Sequence, residues 1–224
     1  AVVGVDLKDE DKSFPINNKN YKFFKMNVFD LDEDFLKDID YVFHLAFVTN
    51  IPNSISNPVD TTKDNIDMTV HLLDKCTKAK VKKFVYAGSA SCYGLNNSEI
   101  DEKTKISTEH PYALSKYLGE MATLHWQKVF GLPINSMRIF NAYGPRSRTS
   151  GAYGAVMGVF FKQKLENKPF TIVGSGKQSR DFIHVKDVVR AFLAAAQKKN
   201  SNEIYNVATS KPKSINLLTK IIGG

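Results

Sequence analysis

Short apolar runs alternate with amphipathic segments along most of the chain. Strand-like runs, rich in β-branched and aromatic residues, fall at residues 2–5, 21–28, 41–46, 83–88 and 134–140. Helical periodicity fills the intervals at residues 31–39, 60–80 and 112–130, and in the second of these Ile66, Val70, Leu73 and Cys76 share one face. The alternation predicts an α/β fold, a Rossmann-type doubly wound parallel sheet with ligand sites at the carboxyl ends of its strands.

The composition changes after Asn141. Residues 143–151 are polar and rich in turn-forming residues. Beyond them the pattern predicts a helix at 156–166, short strands near Thr171 and Asp181, a helix at 187–198 and a final strand and helix. We therefore expect a first domain at residues 1–145 and a smaller α+β part at 146–224, of which residues 181–200 pack back on the first domain.

Composition and charge exclude several classes of protein. Apolar residues make up 42% of the chain and charged residues 24%, which is ordinary for a globular protein. No apolar run approaches the roughly 18 residues that a membrane span needs, and the first residues lack the features of a signal peptide, so a cytoplasmic protein is expected. The net charge of +8 comes mainly from scattered lysines and forms no nucleic-acid-binding pattern. It suits an anionic small molecule, although a solvated basic surface explains it equally well.

The cysteines and histidines predict no metal site. Cys76 and Cys92 have neither the spacing of metal ligands nor the number needed for a disulfide framework, so reduced, packed thiols are expected. His44 and His184 are each flanked by apolar strand residues, and hydrogen-bonded core histidines are a better interpretation than ligands or bases.

A tyrosine and a lysine four residues apart form the main chemical candidate. In a helix, Tyr112 and Lys116 would lie on one face with roughly 6 Å between their Cβ atoms. A neighbouring ammonium favours the phenolate, which would bring the pKa of Tyr112 toward the range of a general base. The same spacing recurs at Tyr21 and Lys25, but in a strand-like run, where the two would be roughly 13 Å apart. Spacing alone is therefore a weak signal.

The context of Tyr112 strengthens its candidacy. It follows Pro111, which suits the first turn of a helix. Ser89 ends a predicted strand of the sheet, where the catalytic groups of such folds gather. Together these features predict a site at one edge of the sheet.

Several ordered motifs resemble those of one family. Gly-Ser-Ala-Ser-Cys-Tyr-Gly at residues 88–94 and His-Pro-Tyr-Ala-Leu-Ser-Lys at 110–116 resemble the serine and tyrosine-lysine motifs of the extended short-chain dehydrogenases, which include nucleotide-sugar epimerases and dehydratases. Val-Phe-His-Leu-Ala at 42–46, Asn65, Arg-Ile-Phe-Asn-Ala-Tyr-Gly-Pro-Arg at 138–146 and the run at 174–185 match further motifs in the family's order. The resemblance covers nearly the whole chain.

The resemblance implies NAD as cofactor and a role for each matched residue. Tyr112 would be the base, Ser89 a hydrogen-bond partner of the reacting sugar oxygen, and Lys116 a ligand of the nicotinamide ribose. The implied cofactor-binding residues are Asp6, Asn27, Val28, Leu45, Ala46, Asn65, Ala87, Tyr112, Lys116 and Phe140. The implied substrate-binding residues are Ser89, Ser91, Tyr112, Asn141, Val156, Thr171, Val173 and Arg180.

Four of these assignments carry particular expectations. Asp6 at a strand end would bind the adenosine ribose, which favours NAD over NADP. Asn27 stands where the family usually has an aspartate, but its amide oxygen can still accept the adenine hydrogen bond. Arg180 would bind the diphosphate, although a salt bridge with Asp181 is a serious alternative. Asn65 alternatively cross-links the backbone.

The residues after Ser89 favour one reaction of the family. Dehydratases and decarboxylases carry acidic residues there, whereas this chain has Ala90 and Ser91, and loss of water needs a positioned acid. The resemblance thus implies 4-epimerisation of a nucleotide sugar, a UDP-hexose, through a transient 4-keto sugar. It also implies a homodimer, which relatives commonly form. Another reaction of the same fold, or a non-enzymatic relative or inactive fragment, stays as an alternative.

The chain departs from the family at its start. The family begins with a strand and a Gly-x-x-Gly-x-x-Gly turn that cradles the cofactor's diphosphate, and residues 1–5 resemble its second strand instead. We expect the sequence to be truncated at both ends. The absent strand would lie between the strands at residues 2–5 and 41–46.

Overall fold

A computed structural model describes residues 1–10, 15–95, 99–149 and 156–223, which form a mixed α/β fold. Its helices and strands are, in chain order, β1 (Val2–Asp6), β2 (Tyr21–Lys25), α1 (Glu33–Leu36), β3 (Tyr41–His44), α2 (Ile51–Ser56), α3 (Pro58–Lys78), β4 (Lys83–Ser89), α4 (Pro111–Phe130), β5 (Ile134–Ile139), β6 (Asn141–Tyr143), α5 (Val156–Leu165), β7 (Ser179–Arg180), β8 (Phe182–His184), α6 (Val185–Gln197), β9 (Glu203–Val207), β10 (Lys213–Ser214) and α7 (Ile215–Ile222).

Parallel strands dominate the sheets, as predicted. The largest sheet has the order β3-β4-β5-β9 and is parallel throughout. Strands β1 and β2 form a separate parallel pair, and among the described residues neither is hydrogen-bonded to β3. The two sheets are thus separated between β1 and β3. A shared hydrophobic cluster nevertheless contains Val5 of β1 and Val42 of β3.

Strand β4 shows why the sheet is covered on both faces. Because successive side chains of a strand point to opposite faces, Phe84 and Tyr86 join one core cluster while Val85 and Ala87 join another. Helices α3 and α4 cover the first face, and α6 covers the second with Phe192. The doubly wound arrangement predicted from the sequence is confirmed.

Helix α4 carries the predicted tyrosine and lysine, and its ends follow local rules. The helix begins at Pro111, where a missing N–H costs nothing, and His110 caps it by accepting a hydrogen bond at Nδ1 from the Ala113 N–H, at 3.1 Å. It ends before Gly131, whose φ of +74° suits the left-handed cap. The sequence between these signals therefore forms one uninterrupted helix of more than five turns.

The structure corrects several details of the predicted elements. The segment around Thr171 is irregular, whereas a strand was predicted there. Helix α2 was not predicted, and the strand predicted at residues 21–28 ends at Lys25. The face of α3 was also partly wrong, because Asn65 and Thr69 are buried while the predicted Val70 is half-buried.

Two further observations concern the helices. Within the described ranges, no helix is both long enough and apolar enough to cross a membrane. Helix α6, from the second part of the sequence, shares a core with β4 and β5 through Val188 and Phe192.

Candidate active site

Ser89, Ser91 and Tyr112 meet where β4 ends and α4 begins. Ser89 is the last residue of β4 and caps the short 3-10 turn Ala90–Tyr93, its Oγ accepting a hydrogen bond from the Ser91 N–H at 3.2 Å. The two serine hydroxyls lie 2.7 Å apart. Helix α4, whose first turn carries Tyr112, packs against both β4 and this serine turn. The edge of the sheet thus carries three hydroxyl groups, those of Ser89, Ser91 and Tyr112.

The protonation of Tyr112 differs from the sequence argument. Burial raises the pKa of Tyr112, and the interaction with Ser89 opposes that rise. Lys116, which was expected to lower the pKa of Tyr112, is not among the groups that shift it. The reason is geometric, because the Lys116 ammonium lies against aromatic rings instead of the phenol: its Nζ is 2.8 Å from the ring centroid of Phe47 and 4.7 Å from that of Tyr86.

Lys116 is a buried cation without an oxygen partner in the described part of the chain. Its residue is 3% exposed, and burial lowers its pKa well below the ordinary value while Glu120 acts in the opposite direction. A desolvated ammonium has three donors and strongly favours oxygen acceptors. Ribose hydroxyls are such acceptors, so Lys116 fits the role of a cofactor ligand that the resemblance implies.

Asn65 ties three elements together around Tyr112. Its side chain accepts from the Val48 N–H at 2.7 Å and donates to the Val48 carbonyl at 3.1 Å. It also donates to Ser115 Oγ at 2.9 Å, and that hydroxyl donates to the Tyr112 carbonyl at 2.9 Å. Asn65 therefore cross-links the backbone, which was the alternative considered for it. This bracing fixes the chain after β3 against the first turn of α4.

A buried ion pair beneath the serines was not predicted. Arg138 of β5 binds Glu120 of α4 with an Nη2–Oε1 distance of 2.6 Å, and their side chains are 3% and 2% exposed. Arg138 Nη1 also donates to the Tyr93 hydroxyl at 2.7 Å, and Tyr93 donates to Asn206 at 2.7 Å. Burial disfavours the guanidinium, but the bonds to Glu120 and Tyr93 more than compensate and raise its pKa. The network joins α4, β5, β9 and the serine turn.

The same network explains a glycine next to Ser89. A Cβ on Gly88 would lie 3.0 Å from Ser136 Oγ and 3.3 Å from Glu120 Oε2. A side chain at Gly88 would therefore crowd the carboxylate that pairs with Arg138. The adjoining Cys92 is buried, and burial raises the pKa of its thiol to about 11. It packs as an inert thiol, as the sequence suggested.

The predicted cofactor residues lie along the carboxyl ends of the strands. Asp6 ends β1, and its exposed carboxylate accepts from the Lys8 N–H at 2.9 Å. Asn27 follows β2, and its amide oxygen already accepts from the Phe29 N–H at 3.1 Å. Four others differ widely in exposure: Val28 and Ala87 are core residues, Ala46 packs against the core, and Leu45 is 61% exposed. Phe140 follows β5.

The predicted substrate residues are spread over the second part of the chain. Asn141 begins β6, and its amide donates to the Asp181 carbonyl at 3.0 Å. Val156 begins α5, and Thr171 is bound to the α5 side chain of Gln163. Val173 is 74% exposed. Asn141 and Thr171 thus bind neighbouring protein atoms, whereas Val173 is open to solvent.

Arg180 stands free of the ion pair that was considered for it. Asp181 instead accepts from the N–H and hydroxyl of Thr209, at 3.0 and 2.6 Å. The Arg180 guanidinium donates to the adjacent Ser179 carbonyl at 2.8 Å and is exposed. A salt bridge between Arg180 and Asp181 is thus a wrong alternative, since the carboxylate binds Thr209 instead.

The two strand histidines have structural roles. His44 is 2% exposed, and its Nε2 lies 3.0 Å from Thr69 Oγ1. Burial, assisted by Lys116, lowers the pKa of His44 to about 3, so the ring is neutral. His184 caps α6 by accepting at Nδ1 from the Lys186 N–H, at 3.2 Å. The expectation of core histidines is confirmed for His44 alone, because His184 acts as a partly exposed helix cap.

Comparisons with known proteins agree with the motifs. A model described as the NAD dependent epimerase/dehydratase family matches residues 1–208. A Methanocaldococcus jannaschii protein, provisionally named a UDP-glucose 4-epimerase, is 38% identical over 86% of this chain and 63% of its own. The dTDP-D-glucose 4,6-dehydratase of Dictyostelium discoideum is 33% identical over 91% of this chain and 50% of its own.

A solved structure has the same fold. The UDP-N-acetylglucosamine 4-epimerase from Methanobrevibacter ruminantium M1, in complex with UDP-N-acetylmuramic acid, is 33% identical with a TM-score of 0.92. The match covers 98% of this chain and 72% of that one. The chain therefore spans half to about three quarters of the length of these relatives.

Proposed function

Because the chain belongs to the NAD dependent epimerase/dehydratase family, we propose that it epimerises a UDP-hexose at C4 with NAD as its cofactor. The observation that carries the proposal is that the paired hydroxyls of Ser89 and Ser91 lie at the end of β4, against which α4 packs with Tyr112 and, one turn on, the buried Lys116. These are a hydrogen-bond donor, a proton acceptor and a cation at one edge of a parallel sheet.

The residues present fit a nicotinamide dinucleotide. Lys116 is a buried ammonium without an oxygen acceptor among the described residues, and Asp6 offers an exposed carboxylate at the end of β1. In our proposal Lys116 binds the nicotinamide ribose, and Asp6 binds the adenosine ribose, which favours NAD. Leu45, Ala46, Asn65 and Phe140 line the path between them. When bound, the cofactor supplies hydride abstraction and return.

Tyr112 and Ser89 handle the proton of the sugar. Tyr112 accepts the proton of the C4 hydroxyl while Ser89 holds the same oxygen, and Tyr112 returns the proton once the sugar has turned. Ser91, 2.7 Å from Ser89, orients the Ser89 hydroxyl. Burial alone raises the pKa of Tyr112, so efficient proton removal requires further stabilisation of the phenolate in the complex.

The substrate class follows from the neighbouring groups. Arg180 presents an exposed guanidinium, suited to forked binding of a diphosphate. Epimerisation is preferred to dehydration because Ala90 and Ser91 supply no carboxylic acid next to Ser89, and loss of water needs one. The similarity to a 4,6-dehydratase keeps dehydration as the second candidate.

The first experiment measures cofactor binding and product together. The chain is mixed with NAD and UDP-glucose, NAD binding is measured by ligand-observed NMR, and the product is identified by its C4 configuration. We expect interconversion of the two C4 epimers. A 4-keto-6-deoxy product would favour the dehydratase, and bound NAD without any product would favour a non-catalytic nucleotide-binding relative.

The sequence offers a matched control for the base. Tyr112→Phe is expected to reduce turnover by about 10²-fold or more while leaving the fold intact. Tyr21→Phe removes the hydroxyl of the tyrosine with the same spacing to a lysine, but on β2, and is expected to leave turnover unchanged. Equal turnover in all three proteins would refute the role of Tyr112.

We extend the proposal to a cytoplasmic homodimer. Leu114 and Leu118, one turn apart on α4, are 40% and 38% exposed and form an apolar stripe that a second copy would cover. Leu118→Glu is expected to lower the sedimentation coefficient to that of a monomer. A monomeric parent protein would contradict this part of the proposal, and cell fractionation tests the location.

A further inference from the structure

One strand and one helix carry the three residues proposed for catalysis. Strand β4 ends in Ser89, and helix α4 carries Tyr112 and Lys116. The distance between Ser89 and Tyr112 therefore depends on how closely, and at what height, α4 packs on β4. Two residues that have no assigned role, Tyr86 and Gly119, meet at that contact.

Tyr86 attaches the helix to the strand by its backbone. Its side chain is fully buried, and its hydroxyl donates to the Lys116 carbonyl at 3.0 Å. A helical carbonyl keeps a lone pair that can accept such a second bond. Its ring lies 4.7 Å from the Lys116 ammonium. Tyr86 thus contacts both ends of the residue proposed to bind the cofactor.

Gly119 sets how closely the helix approaches. A Cβ at this position would clash with the Tyr86 hydroxyl and would lie 3.0 Å from its Cζ and 3.3 Å from its Cε2. Since the ring is enclosed by the core, it has no free space to rotate into. The Tyr86 phenol therefore occupies the space that a side chain at position 119 would need.

We propose that Tyr86 and Gly119 form a register lock that positions Lys116 and Tyr112 of α4 against Ser89 of β4. The lock rests on the proposed function for its catalytic meaning. Tyr86 is a positioning residue, because it acts through Lys116 and α4. Ser89 lies only three residues beyond Tyr86 on the same strand, roughly 10 Å away. A shift of α4 at Tyr86 therefore changes the position of Tyr112 relative to Ser89 directly. Reactions that depend on aligned groups lose rate when such groups move by about 1 Å.

A double-mutant cycle tests the lock without any need for turnover. Tyr86→Phe is expected to raise the unfolding equilibrium constant about fivefold, the usual effect of losing one buried hydrogen bond. Gly119→Ala is expected to be more harmful, because overpacking is not relieved by rotation. In the Tyr86→Phe background the obstructing oxygen is gone, so the effect of Gly119→Ala should shrink by at least about tenfold.

The partly buried Tyr205 provides the control cycle. Its hydroxyl accepts from Lys198, and its ring packs against the core cluster on the face of the sheet that α6 covers, whereas Tyr86 belongs to the cluster on the other face. Tyr205→Phe and Gly119→Ala should combine additively, within about twofold. If Gly119→Ala alone is too unstable to purify, recovery of folded protein in the double variant with Tyr86→Phe is the same rescue. Additive effects, or no recovery, would overturn the lock.

A spectroscopic measurement separates positioning from stability alone. The ¹³Cζ resonance of Tyr112, assigned by its loss in Tyr112→Phe, reports the hydrogen bonding of the phenol. We expect Gly119→Ala to shift this resonance and the double variant to restore it. A destabilised Gly119→Ala with an unmoved resonance would make the contact mere packing and refute the proposal.

Turnover then connects the lock with the proposed function. Tyr86→Phe and Gly119→Ala should each lower kcat at least about tenfold with little change in KM. A lock that passes the unfolding and NMR tests in a protein without epimerase activity would refute the proposed function alone. An active protein in which the two substitutions act independently would refute the lock alone.

Discussion

Two regions of this molecule are built in opposite ways: the corner, which holds Ser89, Tyr112 and Lys116, and the edge, which holds Thr171, Val173 and Arg180. Tyr112 and Lys116 of the corner are held by buried neighbours from several elements, among them Asn65 and Tyr86. At the edge, Thr171, Val173 and Arg180 are exposed and make local contacts. Core packing fixes the first region, whereas surface contacts support the second.

The difference teaches where precision is needed. Proton transfer requires hydroxyl groups at hydrogen-bond distance, so their supports must be rigid before substrate arrives. Recognition of a diphosphate by a long cationic side chain tolerates an adjustable partner, because the ligand itself orders the guanidinium. Substitutions should therefore cost stability at the corner and ligand affinity at the edge.

The largest expected effect comes from the ion pair beneath the corner. Arg138→Met leaves the Glu120 carboxylate buried without its cation and should reduce the free energy of unfolding by about 3–5 kcal/mol. Urea denaturation measures the change. The double substitution Glu120→Gln and Arg138→Met should cost less than Arg138→Met alone, because no charge is then stranded. A loss below about 1 kcal/mol for Arg138→Met would contradict the view that the corner is set by its core.

A pH-dependent effect of intermediate size comes from His44. Its pKa of about 3 lies below the unfolded value near 6.5, so the unfolded state binds more protons between these values. The stability from neutral His44 is complete above pH 6.5 and is lost as the pH falls. The free energy of unfolding should fall by up to about 1.4 kcal/mol per pH unit more steeply in the parent protein than in His44→Gln between pH 6 and 4.5.

Unfolding in urea at several pH values gives the two slopes. Contributions from all other groups are common to both proteins and cancel in the difference. Parallel slopes would contradict a neutral, desolvated His44 and would weaken the description of the corner as a closed environment.

The sequence predicted what local patterns encode. Pro111 and Gly131 marked the ends of α4, and the strand pattern before Ser89 matched β4 within one residue. The positions of Ser89 at a strand end and Tyr112 at a helix start were also readable from the residues before them.

Patterns of apolar residues could not predict buried polar groups. On α3 the predicted face missed Asn65 and Thr69, because they are buried through hydrogen bonds and not through apolar surface. The pairing of Glu120 with Arg138 joins residues 18 positions apart on two elements, so no local window contains it. The strand expected near Thr171 failed because its backbone is bound by the side chain of Gln163 instead of a neighbouring strand.

The smallest expected change in stability belongs to the edge, at Arg180. Its guanidinium is exposed and bound within its own strand, so Arg180→Ala should alter the free energy of unfolding by less than about 0.5 kcal/mol. UDP binding, measured by calorimetry, should weaken by about 10- to 100-fold, because charge-assisted bonds to the diphosphate are lost. Lys177→Ala, a nearby exposed cation, is the control and should change neither quantity appreciably. Equal weakening by both substitutions would mean that UDP senses only the general positive charge, and a large loss of stability at Arg180 would erase the contrast between the two regions.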